Sequence, residues 1–221
     1  MRRCSARLAC CLVLLAFAVT LAASAETLVS VTFDQKGWDP GTWVIAKNPG
    51  VPHLGKWVQR EKCIENETPT DPARKSALDA TLTTMVYGKR FAGDCTAAAT
   101  FEIGAGAAPG IVIAQDWAPD AEGQPQYGEF YEVVIYEKGV NLWHHFTKDG
   151  KPLYELTAYC NFSLKADTAY KLQVTRKAKT LEMSIAGQRM GVLVPALANE
   201  LYFGVEGCEG VCRVYDFAVT R

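Results

Sequence analysis

From Phe101 to the C-terminus the chain alternates with a period of two, and this constrains its fold more than any other feature. Tyr131, Val133 and Ile135 alternate with Glu132, Val134 and Tyr136; Tyr170, Leu172 and Val174 alternate with Lys171, Gln173 and Thr175; Leu181, Met183 and Ile185 enclose Glu182 and Ser184. Successive side chains of an extended chain point to opposite faces, so each run is a half-buried strand with one face in a core. Turn signals punctuate these runs at Glu137-Lys138-Gly139, Asp149-Gly150, Ala186-Gly187 and Glu209-Gly210. Many short strands with close turns predict an all-β antiparallel sandwich. The earlier half is less regular. Val29, Val31 and Phe33 give a first strand, expected to end at Phe33-Asp34 beside the last strand, Tyr215 to Thr220, and Trp57-Val58 gives a second. Residues 66–81 read as an inserted loop in which Asp71-Pro72 caps and opens one helical turn. Trp117 to Gly128, with two prolines and two glycines, reads as a second long loop, and loops of this length in a compact domain commonly serve function.

The N-terminus has a different grammar. Met1-Arg2-Arg3 and Arg7 precede an apolar run from Leu8 to Ala22 and then Ala23-Ser24-Ala25, the order of a charged region, a greasy core and a small-x-small cleavage site. The reading is a signal peptide over residues 1–25 and one sandwich domain over residues 26–221. The apolar run is shorter than the roughly 20 residues of a spanning helix, and no later stretch replaces it. A mature protein without a membrane span, secreted or periplasmic, is therefore expected.

Removing the three leader arginines leaves 20 basic residues against 24 acidic, which argues against nucleic acid as a partner. Cys63, Cys95, Cys160, Cys208 and Cys212 remain, an odd number for an oxidising compartment. Cys208 and Cys212 flank an apparent hairpin turn, where a disulfide is one reading; the second pair that a zinc site would need is absent. Asn66-Glu67-Thr68 and Asn161-Phe162-Ser163 match the glycosylation sequon.

Several segments carry a resemblance. Tyr87-Gly88-Lys89-Arg90-Phe91, Ala99-Thr100-Phe101-Glu102-Ile103, Pro109-Gly110-Ile111-Val112 and Tyr131-Glu132-Val133-Val134-Ile135 resemble the 3-keto-disaccharide hydrolase-like domains. Ala169 to Val174, Leu181 to Gly187, Phe203-Gly204-Val205 and Tyr215-Asp216-Phe217-Ala218-Val219 are similar to the closing strands of laminin G-like and glucanase sandwiches. The resemblance, to the concanavalin A-like lectin and glucanase superfamily, implies a two-sheet jelly roll with a curved polar face that meets carbohydrate in relatives. It also implies a structural calcium near Asp216, where similar glucanases place an aspartate on the closing strand; an outward-facing strand aspartate is the competing reading.

Other motifs weigh less. Gly50 to Lys56 satisfies G-x-x-x-x-G-K, but Trp57 stands where a magnesium-binding hydroxyl belongs and no strand-to-helix context surrounds it. There is no G-x-S-x-G elbow, and no strand carries carboxylates at i, i+2 and i+4, so the two-carboxylate chemistry of retaining glucanases is not expected. Among the tryptophans, Trp117 on its loop is the candidate stacking platform, with Gln115 and Asp116 beside it as substrate-binding candidates. Trp143 is expected on the buried face with Tyr131, Val133 and Ile135.

Turn arithmetic supplies the candidate catalytic set. A three-residue loop Glu137-Lys138-Gly139 makes Tyr136 oppose Val140, so that Glu132 faces His144. A two-residue Asp149-Gly150 turn makes Lys148 oppose Lys151, so that His144 faces Glu155. Glu132, His144 and Glu155 would then share one face, with an imidazole between two carboxylates suited to proton donation or, with a metal, to ligation. A solvated cross-strand charge cluster is the bland alternative, and a one-residue slip would bring His145 to this position on the other face. Three functions follow as expectations: recognition of a carbohydrate or glycoconjugate, with processing of a modified glycoside; hydrolysis of 3-keto glycosides; or a structural or adhesive surface role without a small ligand.

Overall fold

A computed structural model describes residues 25–71, 73–74 and 77–221 of the 221-residue chain. Nearly the whole expected signal segment, and Pro72 of the expected helical cap, lie outside the described residues. Two antiparallel sheets of eight strands account for most of the rest. The front sheet runs Lys151–Asn161, Gly139–Lys148, Phe130–Tyr136, Gly110–Ala114, Glu200–Gly207, Thr83–Tyr87 and Trp43–Ile45, with Phe91–Ala92 also pairing with Glu200–Gly207. The back sheet runs Gln188–Leu193, Thr180–Ile185, Ala169–Lys177, Cys95–Ile103, Cys212–Thr220, Ile64–Asn66 and Trp57–Gln59. Thr27–Thr32 pairs with Cys212–Thr220, so the first strand does lie beside the last. The two-sheet sandwich expected from the alternation is the fold.

The core lies between the sheets. Phe101, Leu172, Val174 and Phe217 from the back sheet meet Ile111, Ile113, Val133 and Phe203 from the front, all without solvent exposure. Burying a side chain of this size is worth about 1.5–3 kcal/mol, and the period of two delivers one such residue at every second position.

The less regular half departs from expectation in three places. An extra short strand, Trp43–Ile45, precedes Trp57–Gln59, and the helical turn of the inserted loop is Leu78–Thr81. Trp117 to Gly128 is no open loop: Trp117–Pro119 and Pro125–Tyr127 pair as a hairpin. Asp120 Oδ1 closes its turn by accepting the backbone N–H groups of Glu122 (3.0 Å) and Gln124 (2.8 Å), and Lys47 forms an ion pair with Asp120. The hairpin folds over the outer face of the front sheet, where Tyr127 packs against Phe130 with ring centroids 4.9 Å apart.

The five described cysteines are all unpaired. Cys212 belongs to the inter-sheet core whereas Cys208 packs on the outer face of the front sheet with Leu82, Ala108 and Val134, and the two are not bridged. Asn66 is buried, donating to the carbonyls of Thr81 (3.0 Å) and Gly210 (2.9 Å) and accepting from Cys212 N–H (2.8 Å). Its sequon is a structural strut, while the Asn161 sequon lies exposed at the end of an edge strand.

Candidate functional site

The outer face of the front sheet is divided. One half is sealed by the hairpin over Ala46, Val86, Val112, Ala114 and Phe130. The other half is open and forms a cleft of about 710 Å³, within the size range of small-ligand sites. Val134, Trp143, Glu132, His145 and Cys208 form its floor, loop residues Asn48–Val51 and Gly106–Ala108 flank it, and Tyr154 stands at its rim.

Register decides which residues reach this cleft. Gly139 enters the ladder, pairing with Tyr136 on one side and Asn161 on the other, and it takes the positive φ (139°) open to a glycine. Only Glu137 and Lys138 are left in the turn, one residue fewer than the arithmetic assumed. Glu132 therefore opposes Trp143, and His144 opposes Tyr131. The expected triplet is split between two faces of the sheet. His144 and Glu155 do pair, as the Asp149-Gly150 turn requires, with Nδ1 3.2 Å from Glu155 Oε1. The second carboxylate at His144 is Glu129, 2.9 Å from Nε2, and the ring stacks on Tyr131 at 4.5 Å, away from the cleft. Trp143 exchanges faces in the same way. Instead of joining the core it stands in the cleft, with Tyr154 6.0 Å away in an edge-on arrangement.

Glu132 remains in the cleft and gains His145 as its neighbour. His145 Nε2 lies 2.8 Å from Glu132 Oε2 but out of line for a hydrogen bond, so this nitrogen is buried without a partner. Asn48 Nδ2 approaches both residues, 3.4 Å from Glu132 Oε1 and 3.4 Å from His145 Nδ1. Behind Glu132 lies Glu206, which the sequence reading passed over. It is completely buried, and neither carboxylate oxygen has a hydrogen-bond donor. Gly110 on the strand between them provides the room, because a Cβ there would fall 2.5 Å from Glu206 Oε1 and 2.6 Å from the carbonyl oxygen of Val133.

The consequence is electrostatic. Complete desolvation first, and then the adjacent Glu132 carboxyl, push the Glu206 pKa well above the usual carboxylate range. A proton retained on Glu206 makes this carboxyl a donor rather than a second acceptor beside Glu132. Tyr127, wholly buried, is also pushed up, first by burial, against a lowering contact from Thr84, and then by Glu206 and Glu132. Burial and Glu206 raise the Cys208 thiol as well, so this cleft cysteine is no nucleophile at neutral pH. A signal for Glu206 existed in the sequence: Phe203, Val205 and Gly207 alternate around a charge in a strand that a central position would bury on both faces.

The other candidates lie elsewhere. Trp117 anchors the hairpin, its ring 6.5 Å from Tyr202 and its Nε1 buried, and neither it nor Gln115 or Asp116 lines the cleft. Asp116 is exposed. Asp216 sits at a bulge of the last strand and accepts the Thr100 backbone N–H at 3.0 Å. Among the described residues no group of three or more His, Cys, Asp or Glu side chains converges as a metal site; a calcium at Asp216 would draw the rest of its shell from backbone carbonyls.

No protein-family profile matches the chain, and no curated protein matches it. Solved structures do. β-Agarase A in complex with oligoagarose superposes with a TM-score of 0.65 at 10% identity, covering 90% of this chain and 93% of that one. A carbohydrate-binding module from Bacillus subtilis gives 0.57 at 11% identity over 81% of this chain and 96% of its own. A protein of unknown function with a galectin-like fold, also from Bacillus subtilis, gives 0.61 at 12% identity over 88% and 96%. The chain has the concanavalin-like sandwich fold. In this concanavalin-like sandwich the cleft occupies the open half of one outer sheet face, and the fold by itself leaves the chemistry of that cleft to its residues.

Proposed function

We propose that the protein binds carbohydrate outside the cytoplasm, in the cleft floored by Glu132, Trp143 and His145. The observation that carries this reading is the pairing of an aromatic wall with a polar floor. Trp143 and the 71%-exposed Tyr154 offer flat apolar surfaces, and Asn48, Glu132 and His145 place hydrogen-bonding atoms beneath them. A sugar ring has one apolar face and a rim of hydroxyls, so it satisfies both at once. The likeness to a carbohydrate-binding module and to an agarase supports the same reading.

Binding is favoured over two-carboxylate hydrolysis by the position of the acids. Glu206 is completely buried against Glu132, whereas such enzymes place their carboxyls about 5–9.5 Å apart across the scissile bond. One observation favours a second reading, turnover of a modified glycoside such as a 3-keto sugar: Glu132 and His145, 2.8 Å apart, bring a carboxyl and an imidazole together at the cleft, the residue types that acid/base chemistry uses.

The test is a glycan array on the mature domain, followed by incubation of any bound glycan and chromatography of the products. Binding that falls at least tenfold in Trp143→Ala and Tyr154→Ala supports the site. Product release supports turnover. Absence of binding to every glycan overturns both readings and favours a structural or adhesive role.

A further inference from the structure

The donors at the cleft floor do not engage its carboxylates in good geometry. Glu206, wholly buried behind Glu132, has no donor at either oxygen, and Glu132 itself receives only the long 3.4 Å contact from Asn48 and an ill-aligned imidazole. Buried polar atoms are nearly always satisfied in native proteins, and of these two carboxyls only Glu132 lines the cleft, where a bound group can complete its shell. Around them the lining is acidic. Asp79 is paired with Arg74 and Glu137 accepts the Gly106 N–H, whereas Glu132 has only its Asn48 and His145 neighbours and Glu209 makes no ion pair among the described residues; Lys138 is the lining's one lysine.

We propose that the sugar bound here carries a protonated primary amine, and that its ammonium group docks on Glu132; this inference rests on the carbohydrate reading above. An ammonium brings three donors and a positive charge, where a hydroxyl brings one donor and none. Burial keeps Glu206 protonated, so the ammonium meets Glu132 alone. The neighbouring faces of Trp143 and Tyr154 add cation–π attraction. Uronic acids and sulfated sugars are disfavoured by the same carboxylates. The chemical class is therefore a hexosamine with a free amino group, and its N-acetylated form, which has lost both the charge and two donors, is the matched weaker ligand.

Calorimetric titration of the mature domain with glucosamine oligosaccharides and with their N-acetylated counterparts of equal length tests the inference, in a slightly acidic buffer that keeps the amine charged. The free-amine form is expected to bind about tenfold more tightly, the difference between a charge-assisted and a neutral hydrogen bond. Glu132→Gln should bring the two forms to equal affinity, whereas Glu206→Gln should keep the preference, because Glu206 is already neutral; circular dichroism melts confirm that both variants fold. Equal affinities in the wild type, or a preference that survives Glu132→Gln, overturn the inference. If only neutral glycans bind, the amine fails and the carbohydrate reading stands. If no sugar of either kind binds, both fall.

Discussion

Replacing Glu206 with glutamine should make the protein more stable as pH rises, which is unusual for the removal of a buried charged-type residue. The side chain keeps its shape, so packing against Gly110 and Val133 is preserved. In the folded protein the Glu206 pKa lies well above the usual carboxylate value because of burial and then Glu132; in the unfolded chain it returns to about 4.3. Below the unfolded value both states hold the proton and folding carries no penalty. Above it the unfolded chain releases the proton while the folded protein retains it, so stability declines with pH until the folded pKa is passed. The slope in that window is about 1.4 kcal/mol per pH unit. In a domain of this size, 1 kcal/mol shifts the melting temperature by about 2–4 °C, so the wild type should lose roughly 3–6 °C per pH unit relative to Glu206→Gln. Calorimetric melts of both proteins from weakly acidic to weakly alkaline pH, at constant ionic strength, measure this directly. A new hydrogen bond from the glutamine amide to Glu132 would add a constant offset, whereas proton linkage adds a slope. A melting difference that is flat with pH refutes the claim that Glu206 is protonated in the fold.

Four further outcomes follow. His145→Ala should weaken glycan binding about tenfold while His144→Ala leaves it unchanged, because only His145 lines the cleft; the reverse pattern in titrations would restore the three-residue turn. Gly110→Ala should cost about 1–3 kcal/mol in urea unfolding through overpacking, since the new methyl collides with Glu206 and the Val133 carbonyl. Chelator should leave the melting temperature unchanged if Asp216 serves only to accept the Thr100 N–H; a drop reversed by calcium would establish a calcium site there. Mass spectrometry of the exported protein should find Glu26 at its N-terminus, and a retained Met1 or an acylated cysteine would rule out cleavage after Ala25.

The alternation of Tyr131, Val133 and Ile135 was enough to assign their strand and its core face, because a period of two is a local property of extended backbone. The same holds for Leu172 and Val174, and for the neighbour relation of the first and last strands. Asp149-Gly150 was also legible, since both residues adopt positive φ in a two-residue turn. Pairing register across Glu137-Lys138 was not. Whether Gly139 belongs to the turn or to the ladder depends on its bonds to Tyr136 and to Asn161, the second of these 22 residues further along the chain. That single residue moved Trp143 from the core to the cleft and replaced His144 by His145 beside Glu132, because a one-residue slip inverts every side chain of a strand. The hairpin over one half of the outer face, and the meeting of Glu206 with Glu132 across Gly110, likewise join segments distant in sequence. Local periodicity determined which strands exist and which way each faces the core. Only the tertiary structure decided which polar residues share the cleft, because that depends on register and strand order, both set by contacts between segments far apart along the chain.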